Sequence, residues 1–271
     1  MYLKTIESVN HIYGRAMNPW NLGRTPGGSS GGESSLVASY CSPGGFGGDI
    51  GGSVRTPCCY TNLWGIKPSS KRITYLGGAI STETGRLGQD LILPVCGPLA
   101  RSPECVIRMF KTINDPDQSF DDTLLDYVPW DEAEFTNKKP LRIGFLTSID
   151  SIFKTCKSQK RAVDEAVELA KKCGHILVPI DYDFGEFYRA FLSVLGHGNK
   201  AQELMNELQG EKIIDEYKLF IMRNKIPLVV LKLLGKLMNR DPTRFNMMMD
   251  STASKTVREL AEAYHFVDQC K

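Results

Sequence analysis

The sequence predicts an α/β fold on three observations: a strand-helix-strand run over residues 141–180, a well-capped amphipathic helix before it, and a glycine-rich block ahead of both. With 271 residues, 42% hydrophobic and 24% charged, the chain can bury a sizeable core as one large domain or two ordinary ones. Most of its 25 glycines fall between Gly23 and Gly97, and residues 98–183 are nearly free of them. The first part therefore reads as short elements joined by turns that need positive φ or close backbone approach.

The first expected helix covers residues 34–40: Glu33, Ser34 and Ser35 suit a first turn, and Leu36, Val37, Ala38 and Tyr40 supply an apolar face. Residues 63–66 form a short apolar element, and Lys67-Pro68 after it predicts an extended turn. Residues 98–113 read as a helix with Ser102 as N-cap, Pro103 at the first position, and Val106, Ile107, Phe110 and Ile113 on one side. The polar, acidic stretch 115–137 reads as a surface loop. A strand at 141–146, a helix at 158–172 with Val163, Ala166, Val167 and Ala170 inward, a stop at Gly174 and a strand at 176–180 fit a crossover connection in a partly parallel sheet. Residues 184–271 are mostly helical by apolar spacing, and neither an internal repeat nor a low-complexity tract is present.

Lys and Arg number 33 against 31 Asp and Glu, a net charge of +2, which argues against nucleic acid as a partner. The eight cysteines show neither metal spacing nor a compact disulfide framework, and the start lacks a secretory signal. Reduced thiols in an intracellular protein, cytoplasmic or peripherally bound to membrane, are the expectation. The longest apolar run, residues 226–234, contains Pro227 and Lys232 and falls short of the roughly 18 to 20 residues of a spanning helix.

Two sites dominate the glycine block: Gly27-Gly28-Ser29-Ser30-Gly31-Gly32-Glu33 and Gly47-Gly48-Asp49-Ile50-Gly51-Gly52-Ser53-Val54-Arg55. Neither ends in the Gly-Lys-Ser/Thr of a phosphate-binding P-loop, and a dinucleotide fingerprint would need glycine where Ile50 stands. A serine after paired glycines has another use: the amides of Ile50, Gly51, Gly52 and Ser53 can converge on a developing oxyanion, with Ser53 as nucleophile. Its hydroxyl needs a base. A Ser-His-Asp triad would have to draw on His11, His175, His197 or His265, none of which has an obvious Asp partner in the sequence. A second serine bridging to a lysine is the other solution, and the Ser29-Ser30 pair offers a relay.

The ordered series from Asn18-Pro19-Trp20-Asn21 through Pro26–Glu33 to Gly48–Pro57, continued by Gly65-Ile66-Lys67-Pro68, resembles the amidase signature family, including the separation of 24 residues from Ser29 to Ser53. The resemblance implies an amidase-signature fold, a mixed central β-sheet flanked by helices on both faces and here incomplete at both ends. Its segments would be a serine and glycine catalytic part at 1–103, an α/β part at 104–183 and a mostly helical cap-like part at 184–271. It further implies that Ser53 is the acylated nucleophile, that Ser29, after a cis peptide bond, passes protons with support from Ser30, and that residues 50–53 form the oxyanion loop. Asp49 and Arg55 then hold that loop in shape. The family's lysine base has no counterpart, since Lys4 is the only lysine before Ser29 and its setting differs, so this chain alone is expected to be inactive.

Glu33, the Lys139–Gly144 strand and the Gly174–Pro179 segment look most like the fatty-acid amide hydrolase branch, with an amidotransferase-A-like amidase as the alternative. Residues 226–249 edge an apolar face with Lys225, Lys232, Lys236, Arg240 and Arg244, which suits peripheral contact with a membrane. The expected ligand is a small-molecule amide, of lipid type, with no cofactor and no metal, in a homodimer. A catalytically silent remnant and an anion-binding module are the competing readings.

Overall fold

Glycine builds the central sheet of the serine-bearing part. In the computed structural model, which describes residues 7–75, 92–114, 117, 122, 125–149, 154–182, 184–195, 212–215, 218, 226, 227, 229, 230, 233 and 256–269, the strand β3 (Gly44–Asp49) runs antiparallel to β5 (Val95–Ala100). On its other side β5 pairs with the two-residue β4 (Trp64–Gly65), so β5 is central. β1 (Val9–Asn10) and β2 (Gly14–Arg15) form a separate hairpin. Helix α1 (Gly31–Ala38) enters β3, and α2 (Arg55–Thr61) follows the loop after β3. Val37 of α1, Val54, Cys58 of α2 and Leu99 of β5 form one buried cluster with Leu63 against it. Full burial of a side chain such as Leu99 stabilises by about 1.5–3 kcal/mol.

The glycines of β3 make room for neighbours on both faces. A Cβ at Gly45 would overlap the Glu33 carboxylate and one at Gly47 the Ser30 hydroxyl, both on α1 or its cap; on the opposite face a Cβ at Gly44 would meet Met109 and one at Gly48 the Tyr75 hydroxyl. The sheet is thus sandwiched at backbone distance.

Two expectations change here. Helix α1 begins at Gly31, not at 34, because its first amide is satisfied from outside the helix: Gly31 N–H donates to Ser8 Oγ at 3.1 Å. At its other end Tyr40 takes a left-handed φ of 64°, and Cys41 N–H bonds Leu36 C=O, the six-to-one closure that ends helices. Arg101 lies over the Tyr40 ring and donates to the Val37 and Ser42 carbonyls. The second change is at 98–102. Ser102 is the N-cap, accepting from Cys105 N–H, and Pro103 opens α3 (Pro103–Ile113), but Pro98–Ala100 belong to the central strand.

Residues 1–130 and 201–223 make one unit, 131–200 and 224–271 another. In the second, the stretch expected as loop contains one helical turn, α4 (Glu132–Phe135), capped by Asp131 accepting from Glu134 N–H. β6 (Arg142–Phe145) pairs in parallel with β7 (Ile176–Pro179) across α5 (Lys157–Lys172). Gly174, at φ +86°, closes α5 with His175 N–H on Ala170 C=O and its own N–H on Lys171 C=O. Of the residues expected to face inward, Val167 is buried, Val163 and Ala170 are half-buried and Ala166 is exposed. An apolar groove of about 390 Å³ runs between α5 and the strands, lined by Ile143, Phe145, Val163, Val167 and Leu177 among others. α6 (Phe184–Leu195) packs with α7 (Val257–Gln269). Most of the expected membrane-facing stretch 226–249 lies outside the described residues; of those described, Val229 and Leu233 are exposed. Among the described residues no helix is long and apolar enough to cross a membrane.

Candidate active site

The loop that carries Ser53 is organised by one carboxylate. Asp49 ends β3, its side chain fully buried, and it accepts five hydrogen bonds: from Gly52 N–H at 2.8 Å, Val54 N–H at 3.1 Å, Arg55 N–H at 3.3 Å, Arg55 Nε at 3.1 Å and Arg55 Nη2 at 2.9 Å. Residues 50–55 are therefore wrapped around a single anion. Gly52 turns the chain at φ +112°, a conformation that L side chains rarely adopt. Burial alone would raise the Asp49 carboxyl, but the Arg55 bond and the amides of Gly52 and Val54 outweigh it and hold the group below the usual carboxylate range. Asp49 in turn raises Arg55, chiefly through the side-chain hydrogen bond. Behind the loop, burial first, then Asp49 and Cys59, push the Cys58 thiol up to about 12.

Ser53 is buried, at 7% exposure. Its carbonyl accepts from Ser30 N–H at 3.1 Å, so the two serine loops are joined backbone to backbone. Among the described residues the hydroxyls of Ser29, Ser30 and Ser53 make no hydrogen bond, and the N–H groups of Ile50, Gly51 and Ser53 have no protein acceptor. The Gly52 N–H, read from the sequence as a fourth convergent donor, is occupied by Asp49. The structure thus brings Ser29, Ser30, Asp49, Ile50, Gly51, Gly52, Ser53 and Arg55 into one place, with no hydroxyl-to-hydroxyl bond between Ser29 and Ser53.

The loop that carries Ser29 is fixed in a different way. The Gly28–Ser29 peptide is cis, and Gly27, at φ +88°, has its α-carbon so close to Pro57 that a Cβ would sit 3.1 Å from the Pro57 backbone. Ser8, buried at 5% exposure, reaches in from the hairpin and bonds Gly27 C=O, at 3.0 Å, with Ser29 C=O at 3.4 Å. Asn18, also buried, donates to Tyr60 C=O, and Trp20 Nε1 donates to Thr61 C=O, tying the entering chain to the end of α2. Asn18 and Trp20 stand in the motif read from the sequence; Ser8 carries no local signal, because its partners lie 19 to 23 positions away.

No described histidine bonds either serine: His175 accepts from Leu141 N–H, His11 contacts Lys212 C=O and His265 contacts Gln269. His197 and Lys4 lie outside the described residues. Among the described residues no cluster of His, Cys, Asp and Glu is arranged to hold a metal ion.

Comparison with known proteins gives this geometry a family. The amidase family model matches residues 3–267. The chain is 34% identical over 232 residues to vitamin D3 hydroxylase-associated protein of Gallus gallus, covering 83% of this chain and 48% of that protein. It is 32% identical over 264 residues to fatty acid amide hydrolase 1 of Caenorhabditis elegans, covering 94% and 44%. In three dimensions it resembles a fatty acid amide hydrolase with a TM-score of 0.73 at 24% identity, covering 98% of this chain and 42% of that one, a likeness of fold. The chain spans less than half the length of these relatives. It belongs to the amidase signature family.

Proposed function

We propose that this protein is a serine amidase that hydrolyses a carboxylic amide, of the fatty-acid amide class, through an acyl-Ser53 intermediate. The observation that carries the reading is a buried serine whose hydroxyl makes no hydrogen bond among the described residues, on an Asp49-braced loop bonded directly to the Ser29 loop. In the reaction Ser53 Oγ attacks the amide carbon while its proton passes to the Ser29 hydroxyl, whose own proton moves on to a lysine base, the one member of the relay with no counterpart in this sequence, and the same relay returns a proton to the leaving nitrogen. The C–N bond breaks as the amine leaves protonated, and water then cleaves the ester, releasing the acid and restoring Ser53. The amides of Ile50, Gly51 and Ser53 hold the oxyanion, and loss of one such donor typically costs on the order of 100- to 1000-fold in rate. Gly52 serves that site through its bond to Asp49, as a shaping contact. Ser30 and Arg55 support the two loops.

The lipid assignment is supported by relatives that include fatty acid amide hydrolases and by exposed apolar residues in the stretch 226–249, which we assign to a peripheral membrane contact. A second reading, a catalytically silent copy, is favoured by one observation: no described Lys or His bonds Ser29 or Ser53. A fluorophosphonate probe on the purified protein separates the two. Labelling that disappears in Ser53→Ala supports the amidase; a folded protein that takes no label, or a Ser53→Ala protein that still labels, overturns it. Among acyl amides, a preference for long chains over short ones supports the lipid class, and equal rates reject it.

A further inference from the structure

We infer that Ser8 is a positioning residue for the Ser29 loop: one buried hydroxyl, outside the serine loops, sets the path of the backbone on both sides of Ser29. The inference rests on the amidase reading above. Ser8 Oγ has one proton to donate and two carbonyls in reach, Gly27 C=O at 3.0 Å and Ser29 C=O at 3.4 Å, while it accepts from Gly31 N–H at 3.1 Å. Those three groups bracket the Gly28-Ser29-Ser30 turn, so a single side chain replaces the local hydrogen bonds that this turn does not make for itself. Ser8 is itself held in place. Its carbonyl accepts from Ala16 N–H at 2.8 Å across the hairpin, and the neighbouring Glu7 pairs with Arg15 at 2.8 Å. A Cβ at Gly31 would overlap Ser8 Oγ and lie 2.9 Å from Ser8 Cβ, so the approach of this hydroxyl to the Gly31 amide depends on glycine at 31.

The consequence is geometric. The Ser29 hydroxyl makes no hydrogen bond among the described residues, so its place beside the Ser53 loop, which Ser30 N–H joins at Ser53 C=O, is fixed by backbone alone. Backbone freed from Ser8 lets that hydroxyl drift, and a displacement of about 1 Å in a reacting group costs on the order of 100-fold. The proton relay is therefore the step that depends on Ser8, and substrate binding is not.

Three variants of the purified protein test this: Ser8→Ala, Ser8→Thr, which keeps the hydroxyl, and Ser53→Ala as control. The readouts are the two constants of fluorophosphonate inactivation, probe affinity and maximal rate, followed across pH, together with hydrogen exchange of the peptide covering 27–34. In Ser8→Ala the maximal rate should fall roughly 10- to 100-fold with probe affinity unchanged, and exchange over 27–34 should speed up while α3 keeps its protection. Ser8→Thr should recover both. An unchanged maximal rate in Ser8→Ala, unchanged exchange over 27–34, or a rate that stays low in Ser8→Thr when exchange is restored, each overturns the inference. If the parent protein takes no label at Ser53, the amidase reading fails by itself, and the exchange comparison still decides whether Ser8 holds the loop.

Discussion

Replacing Asp49 is the most informative perturbation, because the structure allows its cost to be worked out group by group. In Asp49→Ala the amides of Gly52 and Val54 remain buried without an acceptor, and each such donor costs about 1–3 kcal/mol. Arg55 contributes less, since its side chain is 53% exposed and water takes over its hydrogen bonds, leaving about 0–1 kcal/mol for the pair. The sum, roughly 2–7 kcal/mol, brackets the 3–5 kcal/mol typical of breaking a buried charged contact. Asp49→Asn keeps one oxygen but turns an NH₂ toward donors, so it should recover only part of the loss. The assay is urea unfolding followed by tryptophan fluorescence, and Trp20, Trp64 and Trp130 all fall in the unit that holds Asp49. Acid adds a second check with a fixed sign. Because the folded carboxyl titrates below its unfolded value of about 3.9, its contribution is complete above that pH and is lost as pH falls through the folded value. The gap between parent and Asp49→Asn should therefore narrow below about pH 3.9. An Asp49→Ala protein within about 0.5 kcal/mol of the parent, or a gap that widens in acid, would refute the role given to this carboxylate.

The glycines and the cysteines give two further expectations. Gly97→Ala should cost about 1–3 kcal/mol in the same urea assay, because Gly97 lies in the central strand and its Cβ would overlap the backbone carbonyl of Ile66, whereas Gly32→Ala, with nothing within 4 Å, should be neutral or stabilising by up to about 1 kcal/mol; equal values for the two would contradict the packing described. Iodoacetamide at pH 8, read by peptide mass spectrometry, should leave Cys58 unmodified at its thiol value of about 12 and modify the exposed Cys156 first among the described cysteines, because the Ser158 hydroxyl and the Gln159 amide lower its thiol. Modification of Cys58 ahead of Cys156 contradicts this.

What the sequence made legible follows the range of the forces involved. The β6-α5-β7 unit and α3 are readable because their periodicity and their caps, Ser102 and Gly174, act within a few residues. The start of α1 is misread by three positions because its first amide is capped by Ser8, 23 residues upstream. Pro98 is misread for the opposite reason: proline argues against a central strand, yet here it pairs with Phe46 in register and its carbonyl receives Ile66 N–H at 3.1 Å. In the candidate site, residue types and order were visible in the glycine-serine motif. The commitment of Gly52 N–H to Asp49 was not, because it depends on how tightly the loop turns.

The pair Ser30 and Glu33 shows how the site makes use of a helix end left incomplete. Serine followed three residues later by glutamate is the spacing of a capping box, in which the serine side chain takes the third helical amide and the glutamate takes the serine's own N–H. Neither bond forms. Ser30 caps nothing with its side chain, and its N–H goes to Ser53 C=O at 3.1 Å. The Glu33 carboxylate lies instead over Gly45, in space that any Cβ at that position would fill. A side chain at Gly45 would therefore displace Glu33 from that space, while the Ser30 N–H that a capping-box glutamate would take is the one committed to Ser53 C=O. Glycine at 45, glutamate at 33 and the amide of Ser30 are in this sense one arrangement: α1 forgoes its local cap, and the group so released is the one that ties the nucleophile loop to the relay loop.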